Sequence, residues 1–250
     1  MPMKSVSHVG FDALIAEAAA PDGGVRTGPD ADREQGRLSD LAHRRFRKAL
    51  FDGRLEPGAT VSQSDLVKML DVPVGPLRDA LRVLQAEGLL TIHARSGIEI
   101  RKPDLNLLRH TYQMRLILER PAVRLFAEAA PMADIEALVE AHHKAIAMVD
   151  GRDFADDEPP AIEALDRRFH MRLIGALANP LVDTAYAQSQ SFVRLIRMDR
   201  HFRYSTVIAV RTFQEHIAIL EAMRHRDSAA AEAALEAHFT KAMQRAMGFF

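Results

Sequence analysis

The chain has 250 residues, 48% of them hydrophobic, and a formal net charge of −1; that length suits two domains of ordinary size with cores of their own. Cysteine is absent, which excludes disulfides, Cys-ligated zinc, iron–sulfur clusters and thiol catalysis, and fits a reducing, cytoplasmic setting. No apolar run reaches the roughly 18–20 residues of a membrane span, and residues 1–20 carry no signal-peptide pattern, so no membrane association is expected.

Charge is uneven along the chain. Residues 38–103 carry +3, whereas the segments before and after carry −2 each. Any nucleic-acid contact is expected in that middle segment. Residues 1–36, rich in Gly, Pro, Asp and Ala without apolar periodicity, read as a flexible arm. From Leu38 the pattern becomes regular. Leu41, Phe46, Ala49 and Leu50 form the stripe of a first helix, which Gly53 and the turn Glu56-Pro57-Gly58 end. Ser62 then opens a short helix. Its hydroxyl is placed to accept from the backbone N–H three residues on, with Asp65 at the positive end and Leu66, Met69 and Leu70 as the buried face. Asp71-Val72-Pro73 breaks the chain, and Leu77, Leu81 and Leu84 mark a further helix that stops at Gly88. Residues 89–92 and 98–100, across a turn at 94–97, read as a β-hairpin, and Pro103 closes the segment.

Beyond Pro103 no strand is expected. The periodicity predicts six helices, at about 105–129, 132–150, 160–178, 181–202, 205–225 and 228–247, with Pro131, Pro159-Pro160 and Pro180 at three joints. Short joints make neighbours antiparallel. The predicted fold is mainly α: an arm (1–36), a winged helix-turn-helix domain (37–103) and a six-helix antiparallel bundle (104–250).

In a winged helix-turn-helix one helix braces on the phosphates and the next enters the major groove by its N-terminal end. Here that end carries Val74, Gly75, Arg78 and, one turn on, Arg82. Arg78 is within reach of base edges or phosphates. Arg82 reads as a solvated or phosphate-facing residue, and Arg95 at the hairpin tip as a minor-groove or phosphate contact. The same module also serves in some proteins as a protein-contact surface.

These residues resemble the GntR family of bacterial transcription regulators. Phe51-Asp52-Gly53-Arg54-Leu55-Glu56-Pro57-Gly58 is similar to that family's I-x-x-G-x-L-x-P-G. Pro76-Leu77-Arg78-Asp79-Ala80-Leu81 with Leu84-Gln85-Ala86-Glu87-Gly88-Leu89 is similar to its P-[VL]-R-E-A-L-x-x-L-x-x-E-G-L recognition helix. The resemblance covers about 60 residues. It implies double-stranded operator DNA as partner, with Arg78 in the recognition helix and Gly97 in the wing as DNA-approaching positions. One stretch departs from the pattern. The family's usual Ser-Arg-Thr-Pro is Pro73-Val74-Gly75-Pro76 here. An Arg reading guanine contributes roughly 1–3 kcal/mol of discrimination, and Val74 cannot supply it, so either the operator differs or DNA affinity is weaker.

Eleven histidines are present. Asp166 and His170 are four apart on one face shared with Leu173 and Leu177; His216 lies among Phe213, Ile217 and Leu220; His238 lies between Leu235 and Phe239. These four inward groups, from three helices, either converge on a divalent transition ion such as Zn²⁺, Ni²⁺, Mn²⁺ or Fe²⁺ or are hydrogen-bonded core residues. His142, His143, His201 and His225 follow no pattern and are expected at the surface.

Residues 104–250 resemble the FCD effector-binding domain of the FadR-type branch of the family, in the six-helix, VanR-like form. The matching strings are Asp166-Arg167-Arg168-Phe169-His170, Glu215-His216-Ile217-Ala218-Ile219-Leu220-Glu221-Ala222 and Ala231-Glu232-Ala233-Ala234-Leu235-Glu236-Ala237-His238. The resemblance implies a metal on Asp166, His170, His216 and His238. It also implies a small organic acid effector countered by Arg115 or by Arg194, whose plainer reading is ion pairing with Glu119 or other carboxylates. A homodimer on a two-fold operator is expected because one winged helix reads few bases and two half-sites multiply the affinity, and the likeness makes repression the commoner mode. The rival reading is a metal-dependent enzyme on a helical bundle. Neither His-Glu-x-x-His nor paired Glu-x-x-His occurs, and no general base is evident beside the candidate ligands, so no enzymatic activity is expected.

Overall fold

The computed structural model describes residues 30–149, 160–198 and 206–247. Helix α1 (Asp30–Phe51) leads into β1 (Thr60–Val61), α2 (Gln63–Leu70), α3 (Val74–Ala86), β2 (Leu90–His93) and β3 (Gly97–Ile100). Six further helices follow: α4 (Leu105–Ala129), α5 (Met132–Val149), α6 (Pro160–Gly175), α7 (Pro180–Arg197), α8 (Thr206–Arg224) and α9 (Ser228–Ala246). The architecture is therefore a winged helix-turn-helix joined to a helical bundle.

Local chemistry sets the joints. Ser62 caps α2, accepting from Asp65 N at 3.1 Å. Asp104 caps α4 through Leu107 N at 2.6 Å, and Asp227 caps α9 through Ala230 N at 2.8 Å. Each satisfies a backbone donor that a helix start leaves without an internal partner. No described helix is long and apolar enough to cross a membrane.

Three differences from the sequence reading have physical causes. First, α1 starts at Asp30, so residues 30–36, read as arm, are helical; the rest of that arm, 1–29, lies outside the described residues. The single Gly36 in this stretch costs only about 1 kcal/mol relative to Ala, which a helix of this length tolerates. Second, the hairpin gains a third strand. β1 pairs with β3, Val61 opposite Ile98, giving the antiparallel order β1-β3-β2. Two residues are too few for period-2 patterning to reveal. Third, Met69, expected on a buried face, is 38% exposed.

The two halves share packing. The winged-helix core, centred on Phe46, Leu50, Leu77 and Leu84, also takes in Leu107 and Leu108 of α4 and Leu195 and Ile196 of α7. Arg47 donates to Ser191 Oγ at 2.9 Å, and Gln188 of α7 donates to the Glu87 carbonyl at 3.2 Å. Gly88 has φ +77°, and a Cβ there would sit 3.2 Å from Phe192 Cζ. Glycine at that helix end therefore serves both the turn and the close approach of α7. A second core, including Val123, Phe126, Phe169, Leu220 and Phe239, lies within the bundle itself.

Candidate functional site

Two surfaces carry chemistry. The first is the N-terminal end of α3. Val74, Gly75, Arg78 and Arg82 are all exposed there, as is Arg95 on the wing. Among the described residues Arg78 makes only a long contact, Nε to Gln63 Oε1 at 3.4 Å, whereas Arg82 pairs with Asp79 at 3.2 Å. Gln35 of α1 reaches the same end, donating to Asp79 Oδ2 at 3.2 Å. A Cβ on Gly75 would stand 3.2 Å from Gln35 Nε2, so the small residue at 75 and the helical stretch before Leu38 fit together. Gly97 has an internal reason to be glycine. Its φ is +106°, and a Cβ would lie 2.9 Å from the Val61 carbonyl oxygen, a contact that β1 pairing forbids.

The second is a buried cluster in the bundle. Asp166 and His170 come from α6, His216 from α8 and His238 from α9. His170, His216 and His238 each offer a ring nitrogen within 4.8 Å of the others. Asp166 Oδ1 stands 3.7 Å from His216 Nε2 and 3.9 Å from His170 Nε2, and its other oxygen accepts from Arg197 Nη2 at 2.8 Å. Helical spacing puts Asp166 and His170 on one face, and the packing of α6, α8 and α9 brings all four predicted residues to one place, the three imidazoles converging closely and Asp166 beside them.

The outer nitrogens of these rings are tied down. His170 Nδ1 meets Glu119 Oε2 at 2.6 Å, and Glu119 Oε1 also accepts from Arg115 Nε (2.9 Å) and Tyr186 (2.8 Å). His238 Nδ1 meets Glu215 Oε2 at 2.8 Å, and Arg245 grips Glu215 through both oxygens at 2.7 and 2.8 Å. His216 Nδ1 meets His142 Nε2 at 3.1 Å. An ionised carboxylate only accepts, so His170 and His238 each carry a proton on Nδ1, and the neutral His170 ring leaves Nε2 as a lone pair.

Electrostatics favour neutral rings. Burial pushes His216 and His170 below the usual imidazole range and His142 down to about 4. Burial alone would raise the Asp166 carboxyl, but Arg197, then His170 and Arg115, hold it below the usual carboxylate range. His170 Nε2 and His216 Nε2 are buried without any hydrogen-bond partner. Buried polar nitrogens rarely stay unsatisfied. Two such lone pairs beside an ionised carboxylate fit a borderline divalent cation.

A pocket with room of about 50 Å³ adjoins the cluster, lined by residues that include Arg115, Asp166, Arg197, Thr212, His238 and Arg245. Arg115 is buried, ion-paired with Glu119, and lies over the Phe239 ring at 4.7 Å. Arg194 is elsewhere. It pairs with Glu163 at 2.8 Å and lies over the Phe51 ring of α1 at 4.1 Å. Of the two arginines named from the sequence, Arg115 lines this pocket and Arg194 does not, whereas Arg197, one turn further along α7, does.

Several partners escaped the sequence reading. His142, expected at the surface, is fully buried. Its only local signal is its place on α5 four residues after Leu138, whose carbonyl it binds at 2.7 Å. Glu119 was legible only as a partner for Arg115, and Glu215 only as the residue preceding His216. His201, also expected at the surface, lies outside the described residues.

An exposed recognition helix and wing, packed on a helical domain, define a DNA-binding protein of the winged helix-turn-helix class. The bacterial regulatory protein family gntR matches residues 38–100, and the FCD domain matches residues 110–241. The chain therefore belongs to the GntR family of transcription regulators, in its FadR-like, FCD-containing branch. It is 32% identical over 198 residues to the Nta operon transcriptional regulator of Aminobacter aminovorans, covering 75% of this chain and 86% of that one. It is 25% identical over 236 residues to the transcriptional repressor NanR of Klebsiella aerogenes, covering 85% and 87%. Among solved structures, a GntR regulator from Rhodococcus sp. RHA1 superposes with a TM-score of 0.68 at 19% identity, covering 86% of this chain and 99% of that one. These families and relatives are transcription regulators, which removes the enzyme reading.

Proposed function

We propose that this regulator acts as a homodimeric repressor whose operator affinity is set by a small organic acid, bound in the pocket beside a divalent metal ion. The winged-helix domain, 37–103, reads DNA through Arg78, with Arg82, Arg95 and the backbone at Val74, Gly75 and Gly97 close to it. The domain at 104–250 senses the ligand. Repression is the mode named for the Klebsiella relative. Two winged helices on a two-fold operator multiply a weak single-site affinity; monomeric mass at micromolar concentration in light scattering would refute the dimer.

Asp166, His170, His216 and His238 would hold the metal. A bound ion there would supply a Lewis acid suited to a carboxylate ligand. The protein's own groups do the rest. Arg115 and Arg197 present guanidinium groups to the pocket, and Glu119 and Glu215 orient two of the imidazoles.

One observation carries the coupling. Helix α7 touches both ends of the proposed path: Arg197 binds Asp166, while Ser191, Phe192 and Arg194 bear on α1 and on the turn after α3. Any ligand that competes for Asp166 or Arg197 acts on the helix that seats the DNA-binding domain. The test is operator binding by fluorescence anisotropy, using the DNA upstream of the chain's own coding region, with and without metal and a panel of organic acids. Operator affinity unmoved by any combination would refute ligand control; no specific binding at all would refute the operator assignment.

A further inference from the structure

Among the described residues, the groups that hold the outer nitrogens of the cluster are Glu119, Glu215 and His142, and of these His142 alone is an imidazole. It sits on α5, fully buried, with its ring edge-on to Phe169 and Phe213 at 5.4 and 5.3 Å between centroids. Its Nδ1 lies 2.7 Å from the Leu138 carbonyl oxygen, and its Nε2 lies 3.1 Å from His216 Nδ1. A backbone carbonyl can only accept, so His142 Nδ1 carries the proton and its Nε2 is a bare lone pair. That lone pair needs a donor, and His216 Nδ1 is the group facing it. His216 must then be the Nδ1–H tautomer, with Nε2 unprotonated, buried, and 3.7 Å from Asp166 Oδ1.

We propose that His142 is a positioning residue: anchored by the Leu138 carbonyl, it fixes the tautomer and ring orientation of His216 so that Nε2 is always presented as a ligand. The chain of inference runs through two rings from one backbone oxygen. It also explains why the partner is an imidazole. His216 stacks on Phe169 at 4.1 Å between centroids, and Phe213 closes His142 in from another side. The carboxylates that back the other two ligands each have an arginine: Arg115 for Glu119 and Arg245 for Glu215. A carboxylate at position 142 would enter an aromatic nest, where an unpaired ion is costly. Neutral imidazole satisfies His216 there without introducing a charge. His216 therefore ligates as a neutral imidazole with a neutral backer, in contrast to the two carboxylate-backed rings.

The consequence for metal affinity rests on the metal reading above, whereas the tautomer does not, and the experiment separates the two. Long-range ¹H–¹⁵N correlation on ¹⁵N-histidine-labelled, metal-free protein reads each ring's tautomer directly, His216 being identified by loss of its signals in His216→Gln. The expected result is Nδ1–H for His216 and Nδ1–H for His142. An Nε2–H His216 in the metal-free wild type overturns the proposal without any variant of His142. In His142→Phe, which keeps the aromatic packing but removes the acceptor, His216 should lose its single tautomer and Zn²⁺ affinity should fall about 10–100-fold, the range for loss of such partners. His142→Gln, whose amide oxygen can stand where Nε2 stood, should restore both. A His142→Phe protein that keeps the His216 tautomer and binds Zn²⁺ as tightly as wild type overturns the proposal. Wild type that binds no Zn²⁺ yet shows the expected tautomers refutes the metal reading and leaves the positioning role of His142 supported.

Discussion

Arg194 and Arg197, three residues apart on α7, reach different neighbours, Arg194 touching the DNA-binding domain and Arg197 the histidine cluster. Arg194 stacks over Phe51 of α1 at 4.1 Å, and Arg197 binds Asp166 of the histidine cluster at 2.8 Å. On a helix those positions differ by only about 60° around the axis, yet that rotation separates the inter-domain seam from the pocket.

This division gives opposite expectations for the two substitutions. Arg194→Leu loses the contact with the Phe51 ring and the ion pair with the half-buried Glu163 and should lower unfolding free energy by about 1–2 kcal/mol, leaving metal affinity unchanged. Arg197→Leu leaves the Asp166 carboxylate short of a partner in a buried site, which costs about 3 kcal/mol. In the metal-free protein the second loss should be the larger. Added Zn²⁺ should then raise the melting temperature of Arg197→Leu more than that of wild type, since the ion replaces the missing positive charge. Equal responses to Zn²⁺ in the two variants would contradict the arrangement.

Arg78→Ala should weaken operator binding by about 1–3 kcal/mol, while Arg82→Ala should cost less, because Arg82 is already paired with Asp79. Val74→Arg adds an exposed cation at the groove-entering end. It should strengthen binding to DNA of any sequence and steepen the salt dependence by about one unit of slope. Anisotropy titrations across a salt series measure both; equal affinity of Arg78→Ala and wild type would remove Arg78 from the interface.

Chelation should lower the melting temperature of protein that has been loaded with metal, because an ion bound only to the folded state stabilises it by mass action. His216→Ala or His238→Ala should abolish that sensitivity. His225→Ala should retain it, since His225 is exposed at the joint before α9. Elemental analysis beside the melting curves distinguishes a metal centre from a buried polar cluster.

Gly97→Ala should destabilise the wing by about 1–3 kcal/mol, the usual cost of forcing a side chain into a sparsely populated backbone region. Here the added Cβ also meets the Val61 carbonyl oxygen at 2.9 Å. Thermal melts check the stability, and operator titration checks whether a distorted wing still reaches DNA.

The sequence by itself determined the order of helices, the helix-turn-helix, the wing hairpin and the inward facing of Asp166, His170, His216 and His238. Each of these rests on a local signal. Helical spacing puts Asp166 and His170 on one face, proline and glycine mark the joints, and the cap residue Ser62 states where a helix begins. Only the tertiary structure decided which groups meet across helices. Nothing near His142 in the chain announces His216, 74 residues away, and nothing near Glu119 announces His170. The same holds for Arg197 over Arg194 and for the two-residue strand β1, whose partner lies beyond two helices. Periodicity says which face of a helix is buried. What that face touches depends on how whole helices pack and rotate against one another, and that is settled by the combined burial of distant segments rather than by any short stretch of chain.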